Sequence, residues 1–272
     1  MKFIYLSLVL FSTVAFASAP SSVSVSFGRD NANGSFGGLD AEIGFAGGDA
    51  IFAGGSTNKY KDSVTGEASG TRSYYLGYSL NPDGRWSFTP SLDVWGARSD
   101  LTTRSVLVEV GLNLTDWSFS IQPEFKSLLW ASADNPKEKK RSGAFGLHAH
   151  VEYLGVEDWS FEVRAGSTNY GGQKFDQFLY SYYISDSAFA QSSGLAKNYA
   201  GAAIKYRLTN WQMSLRARKS SYLVGSTTST TVTAGIKWRF HPSWRGGYEI
   251  SSSKSSESSP VSSNSVSLSF EW

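Results

Sequence analysis

Apolar and polar residues alternate with a period of two along most of this chain, most clearly from Ser105 to Phe125. There Val106, Val108, Val110, Leu112 and Leu114 alternate with Leu107, Glu109, Gly111 and Asn113. After a tight Thr115-Asp116 reversal, Trp117, Phe119, Ile121 and Phe125 alternate with Ser118, Ser120, Gln122 and Glu124. Successive side chains of a strand point to opposite faces, so this is a long hairpin with one largely apolar face, interrupted at Pro123, and one mainly polar face. The pattern recurs along the chain, with an aromatic just after each short turn. Many long strands with apolar outsides, small or charged insides and almost no conventional core fit one setting, a closed antiparallel membrane-spanning β-barrel.

The alternation predicts 14 strands: about 21–28, 38–46, 50–56, 71–80, 85–97, 105–114, 117–130, 142–154, a ninth from 159, then 197–208, 211–223, 229–240, 244–253 and a last one ending at 272. Polar segments 29–38, 57–70, 98–103 and 131–141 read as loops, the last with a KEKKR run at 137–141. Short turns follow the even strands and longer loops the odd ones, which places both termini on the periplasmic side. Twelve strands result if 38–56 is one irregular hairpin, and sixteen if 170–195 supplies two. That last segment carries Phe175, Phe178, Leu179, Tyr180, Tyr182, Tyr183 and Ile184, too apolar for a loose solvent loop. It is read as an inserted lid, an extension of the wall, or a segment lying on the outer leaflet. Pro90, which lacks a ladder donor, suggests a local irregularity.

The chain's two ends agree with this reading. Lys2, the mostly apolar run 3–14 and Ala15-Phe16-Ala17 read as a signal peptide over 1–17, with cleavage after Ala19 as the alternative, leaving 18–272 as one barrel domain. At the other end, Ser265-Val266-Ser267-Leu268-Ser269-Phe270-Glu271-Trp272 alternates to the final residue, as a strand that closes a barrel must.

With the apolar face outward, parity fixes the inward residues. The acidic ones are Asp40, Glu42, Asp93, Glu109, Glu124, Glu152 and Glu162, joined by His148 and His150; Lys126 and Arg164 lie among them. Later strands contribute Lys205, Arg207, Arg216, Arg218, Lys237, Arg239 and Arg245, with Glu249 and Glu271. The earlier wall is therefore mainly acidic and the later one mainly basic. So many charges are costly in a dry interior unless paired, whereas a wetted lumen hydrates them. Opposed walls across a narrow channel also create a transverse field that orients polar solutes.

Trp86, Trp117, Trp159, Trp211 and Trp244 each follow a short turn, as expected of an aromatic girdle at a membrane interface. Among 272 residues there are 27 glycines and no cysteine, and the +2 formal charge does not mark a dedicated nucleic-acid binder. No glycine-rich phosphate loop or N-terminal plug domain is present in the pattern. His148, His150 and Glu152 span about 13 Å along one strand, so a compact metal site needs ligands from elsewhere.

Alternation, girdle and the terminal pair Phe270 and Trp272 resemble bacterial outer-membrane β-barrel proteins, and the opposed charges resemble the constriction of small porin-like channels. The terminal stretch resembles an assembly signal that usually ends in Phe, and here ends in Trp272. The resemblance implies residence in a Gram-negative outer membrane, contact with lipid, lipopolysaccharide and the barrel-assembly machinery, and a monomeric state. It also implies passive, cofactor-free diffusion of small hydrophilic solutes or ions. Two other readings stand beside it. One is a structural or adhesion barrel plugged by salt bridges or by the long loop; the other is an outer-membrane lipid hydrolase built on a Ser and His148 or His150.

Overall fold

The computed structural model describes residues 20–61, 68–81, 84–97, 101–131, 138–171, 195–223, 228–256 and 259–272. Among them are fourteen strands: β1 Ser22–Asp30, β2 Ser35–Gly44, β3 Ala50–Lys61, β4 Ala68–Ser79, β5 Trp86–Ala97, β6 Leu101–Asn113 and β7 Trp117–Ala131, then β8 Lys139–Val156, β9 Trp159–Asn169, β10 Ala196–Arg207, β11 Trp211–Tyr222, β12 Thr228–His241, β13 Trp244–Ser255 and β14 Val261–Glu271. Each strand pairs antiparallel with its sequence neighbours, and β1 pairs with β14, from Ser22 opposite Glu271 to Asp30 opposite Ser263. No edge remains, so the backbone donors and acceptors of every strand have a ladder on both sides. Backbone bonds of 3.1 Å in each direction join Ser21 to the terminal Trp272, so the closing seam runs to the last residue.

The fourteen-strand expectation holds, but the strands are longer than the apolar alternation suggests. Residues 57–61 and 68–70, assigned to a loop by their polarity, continue β3 and β4; 101–103 open β6, and 139–141 of the KEKKR run open β8. Residues 29–30 and 35–38 likewise belong to β1 and β2. A ladder is held by backbone bonds and needs no apolar side chain, so it rises past the level where the outside turns polar. The segment 172–194, which carries most of the aromatic loop, lies outside the described residues, as do 1–19.

Both prolines that interrupt the pattern sit at breaks in a ladder. Pro90 pairs in register with Val108 of β6, while on its other side the β4–β5 ladder stops at Gly77–Ser91 and resumes only at the Leu80–Phe88 bridge. Pro123 pairs with Leu147 of β8, while the β6–β7 ladder skips from Leu107–Glu124 to Val110–Ile121. Each proline withholds its donor from the neighbour it faces. Pro123→Val should therefore raise resistance to denaturant by about 0.5–1.5 kcal/mol, the net worth of one restored hydrogen bond, read from the urea midpoint of the refolded barrel.

The convex face is apolar. Phe27, Leu76, Leu92, Phe125, Leu147, Val163, Leu215, Ile250 and Val266, each on a different strand, are exposed on it. Trp86, Trp117, Trp159, Trp211 and Trp244 open β5, β7, β9, β11 and β13 at the short-turn rim. Four of them meet an aromatic of the next strand: Trp117 with Tyr153 at 4.6 Å between centroids, Trp159 with Tyr206 at 4.7 Å, Trp211 with Trp238 at 6.1 Å and Trp244 with Phe270 at 4.9 Å. Phe270 in turn stacks on Trp272.

Candidate functional site

Side chains that meet across an intervening strand mark the concave face, because on the convex side of a closed barrel such pairs splay apart. Lys205 of β10 reaches over β9 to Glu152 of β8 at 3.1 Å. Arg216 of β11 reaches over β12 to Glu249 of β13 at 2.6 Å, and Arg239 of β12 over β13 to Glu271 of β14 at 3.2 Å. Tyr75 of β4 donates over β3 to Asp40 of β2, which also accepts from Ser24 of β1 at 3.5 Å. Two of these crossings rest on a glycine. A Cβ at Gly54 would lie 2.5 Å from both Asp40 Oδ1 and the Tyr75 hydroxyl, and one at Gly235 would lie 3.2 Å from Glu249 Cγ.

The charges sort into two groups along the wall. On β7–β10, Glu124 binds Lys126 and His148, each at 3.2 Å, while Glu162 binds Arg164, Lys205 at 2.9 Å and His150 at 3.8 Å. Glu152 adds Arg207 at 3.9 Å to its Lys205 contact. On β11–β14, Arg245 joins Arg239 on Glu271, at 2.9 Å. The side chains of Glu42, Asp93, Glu109 and Lys237 form no ion pair or hydrogen bond among the described residues.

Beside the expected acidic and basic walls, the structure shows local pairing. The later cations Lys205 and Arg207 are drawn to Glu152 and Glu162 next to them, and Arg216, Arg239 and Arg245 to Glu249 and Glu271. A contact at 3 Å outweighs a field across a water-filled gap, because Coulomb attraction is strongest at contact and screened beyond a Debye length. Much of the charge is thus balanced along the wall rather than across it.

Arg218 is the exception among the inward-facing arginines. It forms no ion pair among the described residues; its guanidinium lies 4.3 Å from the centre of the Tyr199 ring, and its Nε donates to Ser220 Oγ at 3.1 Å. His148 stacks on the same tyrosine, with ring centroids 5.6 Å apart and planes at 20°. Gly166 of β9 lies between them in register, and a Cβ there would come within 2.5 Å of Tyr199 Cε1. Neither histidine is hydrogen-bonded to a serine hydroxyl, and no group of three or more His, Cys, Asp or Glu is arranged to hold a metal, among the described residues.

Two inward features escaped the sequence reading. The first is a hydroxyl-rich arc from β12 to β1: Thr231 meets Ser253 at 3.0 Å and Ser251 meets Ser263 at 2.6 Å, while Ser24 and Ser26 face Ser269 and Ser267 in register. Alternating serines in SVSVSF and SVSLSF carried the signal. The second is an apolar cluster at the long-loop rim. Leu101, Leu128, Trp130, Tyr170, Leu195 and Tyr222 are buried there, with Trp95 and Leu223 packed against them. By parity Leu101, Leu128, Trp130 and Tyr222 share the face of the charged residues, so apolar side chains line the inner face at that end. Tyr170 donates to the Ala196 carbonyl at 3.2 Å, and its burial pushes the phenol above its ordinary range, helped by the charge of Glu124.

No protein-family model matches this chain, and no curated protein sequence matches it. Solved structures do share its fold. The CymD monoaromatic hydrocarbon channel aligns at TM-score 0.52 and 10% identity over 93% of this chain and 87% of that one. The toluene transporter TodX of Pseudomonas putida aligns at TM-score 0.52 and 10% identity over 93% and 88% of the two chains. The KdgM porin in complex with disordered oligogalacturonate aligns at TM-score 0.46 and 10% identity, over 92% and 98%. The two alignments at TM-score 0.52 show that this chain shares the closed barrel fold of those structures, at a sequence identity of only 10%.

Proposed function

We propose that this protein is an outer-membrane, porin-like channel that passes small hydrophilic solutes or ions by passive diffusion, without a cofactor or a catalytic step. One observation carries the reading: inside a closed barrel, charged side chains stay open to solvent. Arg164 keeps 57% of its side-chain surface accessible, Arg207 52% and Arg216 47%, although each has a carboxylate partner. A barrel filled by its own side chains would bury them. Ion pairs left half wet cost little to maintain and leave room for solute.

In this reading residues 1–17 are a signal peptide and the short-turn rim, with both termini, faces the periplasm. The tryptophan girdle marks that interface, and Phe270 and Trp272 present the assembly signal. Lys205, Arg207, Arg216, Arg218, Lys237, Arg239 and Arg245 line the pore with Asp40, Glu42, Asp93, Glu109, Glu124, Glu152 and Glu162. Because most of these charges are locally paired, ion selectivity is modest. The barrel needs no partner subunit to close, which favours a monomer.

The test is single-channel recording on the refolded mature protein in a planar bilayer. Stable unit currents with a small reversal potential in a salt gradient are expected. A closed, heat-modifiable barrel that never conducts would instead favour the blocked structural barrel, with the apolar cluster around Leu101, Leu128 and Trp130 as the closure. A further outcome is expected within the channel reading: Arg218→Gln should move the reversal potential toward cation preference, whereas Arg218→Lys should not.

A further inference from the structure

The outward face carries a second charge pattern, separate from the lumen. By strand parity, the charged residues that point outward from the described strands are cations, and they stand at the long-loop end. Arg29 of β1, Lys59 of β3, Arg72 of β4, Arg104 of β6, Arg141 of β8 and Lys219 of β11 are all exposed there. Lys139 and Lys254 continue the belt. The carboxylates of the strands point inward instead. At the short-turn rim the outside holds the tryptophans, and the turns there carry Asp49, Asp116 and Asp158. The barrel therefore presents a positive belt to one leaflet and none to the other.

On β3–β8 this belt stands over apolar grooves. One, of about 650 Å³, is floored by Leu92, Val94, Val106, Phe125 and Leu129, with Arg104 and Arg141 at its polar edge. Arg104 lies opposite Ser127 in register, and Arg141 donates from Nε to the Ser127 hydroxyl at 3.1 Å, so both arginines line the groove beside the same serine. A second groove, of about 630 Å³, holds Tyr74 and Val94 below Lys59 and Arg72. The two share Val94 and Thr102, which makes one surface with two cation pairs above an apolar floor. Lys59, Arg72 and Arg104 form no ion pair among the described residues. A guanidinium pair matches a phosphate through charge-assisted, two-point hydrogen bonding, and an apolar groove beside it matches an acyl chain.

We propose that the β3–β8 outer surface is a binding site for a multiply acylated lipid with two phosphate groups, one held by Arg104 and Arg141 and the other by Lys59 and Arg72. Two separated cation pairs select a headgroup with two phosphates over one with a single phosphate. The site rests on the membrane placement in the functional reading but not on conduction, since none of its cations faces the lumen.

The experiment uses the refolded mature barrel in a neutral detergent, titrated with purified bis-phosphorylated lipid A, with phosphatidylglycerol or with phosphatidylcholine, and read by native mass spectrometry. Lipid A should bind most tightly. Arg104→Gln combined with Arg141→Gln should weaken it about 30-fold, at roughly one unit of surface electrostatic attraction per cation. Lys219→Gln combined with Lys254→Gln, on the far side of the belt, should leave it unchanged. Hydrogen exchange on the unaltered protein should slow at 101–106 and 139–145 when lipid A is added, which locates the site without any substitution. Equal binding of phosphatidylglycerol would overturn the two-phosphate assignment. Unchanged affinity in the Arg104/Arg141 variant, or protection elsewhere, would overturn the site. Because the readout is binding, a non-conducting barrel that still binds lipid A would sink the channel reading alone.

Discussion

A chain ending at Pro260 should not form a barrel at all. Refolding into detergent or lipid should yield no heat-modifiable band in cold gel electrophoresis, where the full chain gives one, and the product should aggregate. The missing strand pairs with β1 from Ser22 to Asp30 and with β13 from Trp244 to Ser253. Its loss leaves two unpaired edges, which the proposed membrane setting would place in hydrocarbon, where each unsatisfied backbone group costs several kcal/mol. No side-chain contact elsewhere offsets a row of them. Trp272→Ser is the control that separates closure from assembly. It keeps the ladder and removes only the aromatic stack on Phe270, so the purified chain should still refold in vitro. A truncated chain that gave a normal heat-modifiable band would show that β14 does not close the wall.

The strands were legible because a closed wall with one apolar and one polar face imposes a parity that nothing else in the chain overrides. Val23, Val25 and Phe27 face outward for the same reason as Val266, Leu268 and Phe270, and one pattern served from β1 to β14. Strand ends were not legible, because polarity was taken as a sign of a loop. Thr57 to Lys61 and Lys139 to Arg141 are polar yet lie on strands, each paired with at least one neighbour, since a ladder is held by backbone bonds and needs no apolar side chain. The same residues, once known to lie on strands, show the outward cations that the parity argument had no reason to weigh.

Inside the barrel, parity assigned a face but no partner. Whether Lys205 looks across the lumen or sideways to Glu152 depends on shear and on gaps in the intervening strand. Gly166, Gly235 and Gly54 read in the sequence only as small residues. In the structure their missing side chains let neighbours on either side meet: Asp40 with Tyr75 over Gly54, His148 with Tyr199 over Gly166, and Glu249 with Arg216 beside Gly235. Leu101, Leu128 and Trp130 were missed for a related reason. An inward apolar residue near a strand end breaks the alternation by one or two positions and looks like fraying.

Glu162→Lys should change permeation more than any other single substitution on the wall. Glu162 is 6% exposed and holds Lys205 at 2.9 Å together with Arg164 and His150. A lysine there adds two units of positive charge to that height of the lumen and leaves Lys205 with Glu152 alone. Repulsion among the three cations should drive Arg164 into the open lumen, so the site becomes an unbalanced cationic patch. An ideally selective channel develops about 59 mV per tenfold salt gradient, and the variant should move about 10–20 mV toward the anion side. Glu162→Gln should move it about half as far, since only one charge changes. Stability should fall by about 1–3 kcal/mol in the lysine variant, less than for a dry ion pair because Arg164 and Lys205 can recover water. The gradient measurement is decisive when it accompanies a heat-modifiability check. A folded Glu162→Lys barrel with the reversal potential of the unaltered protein would place Glu162 off the ion path and leave the β7–β10 cluster a structural brace.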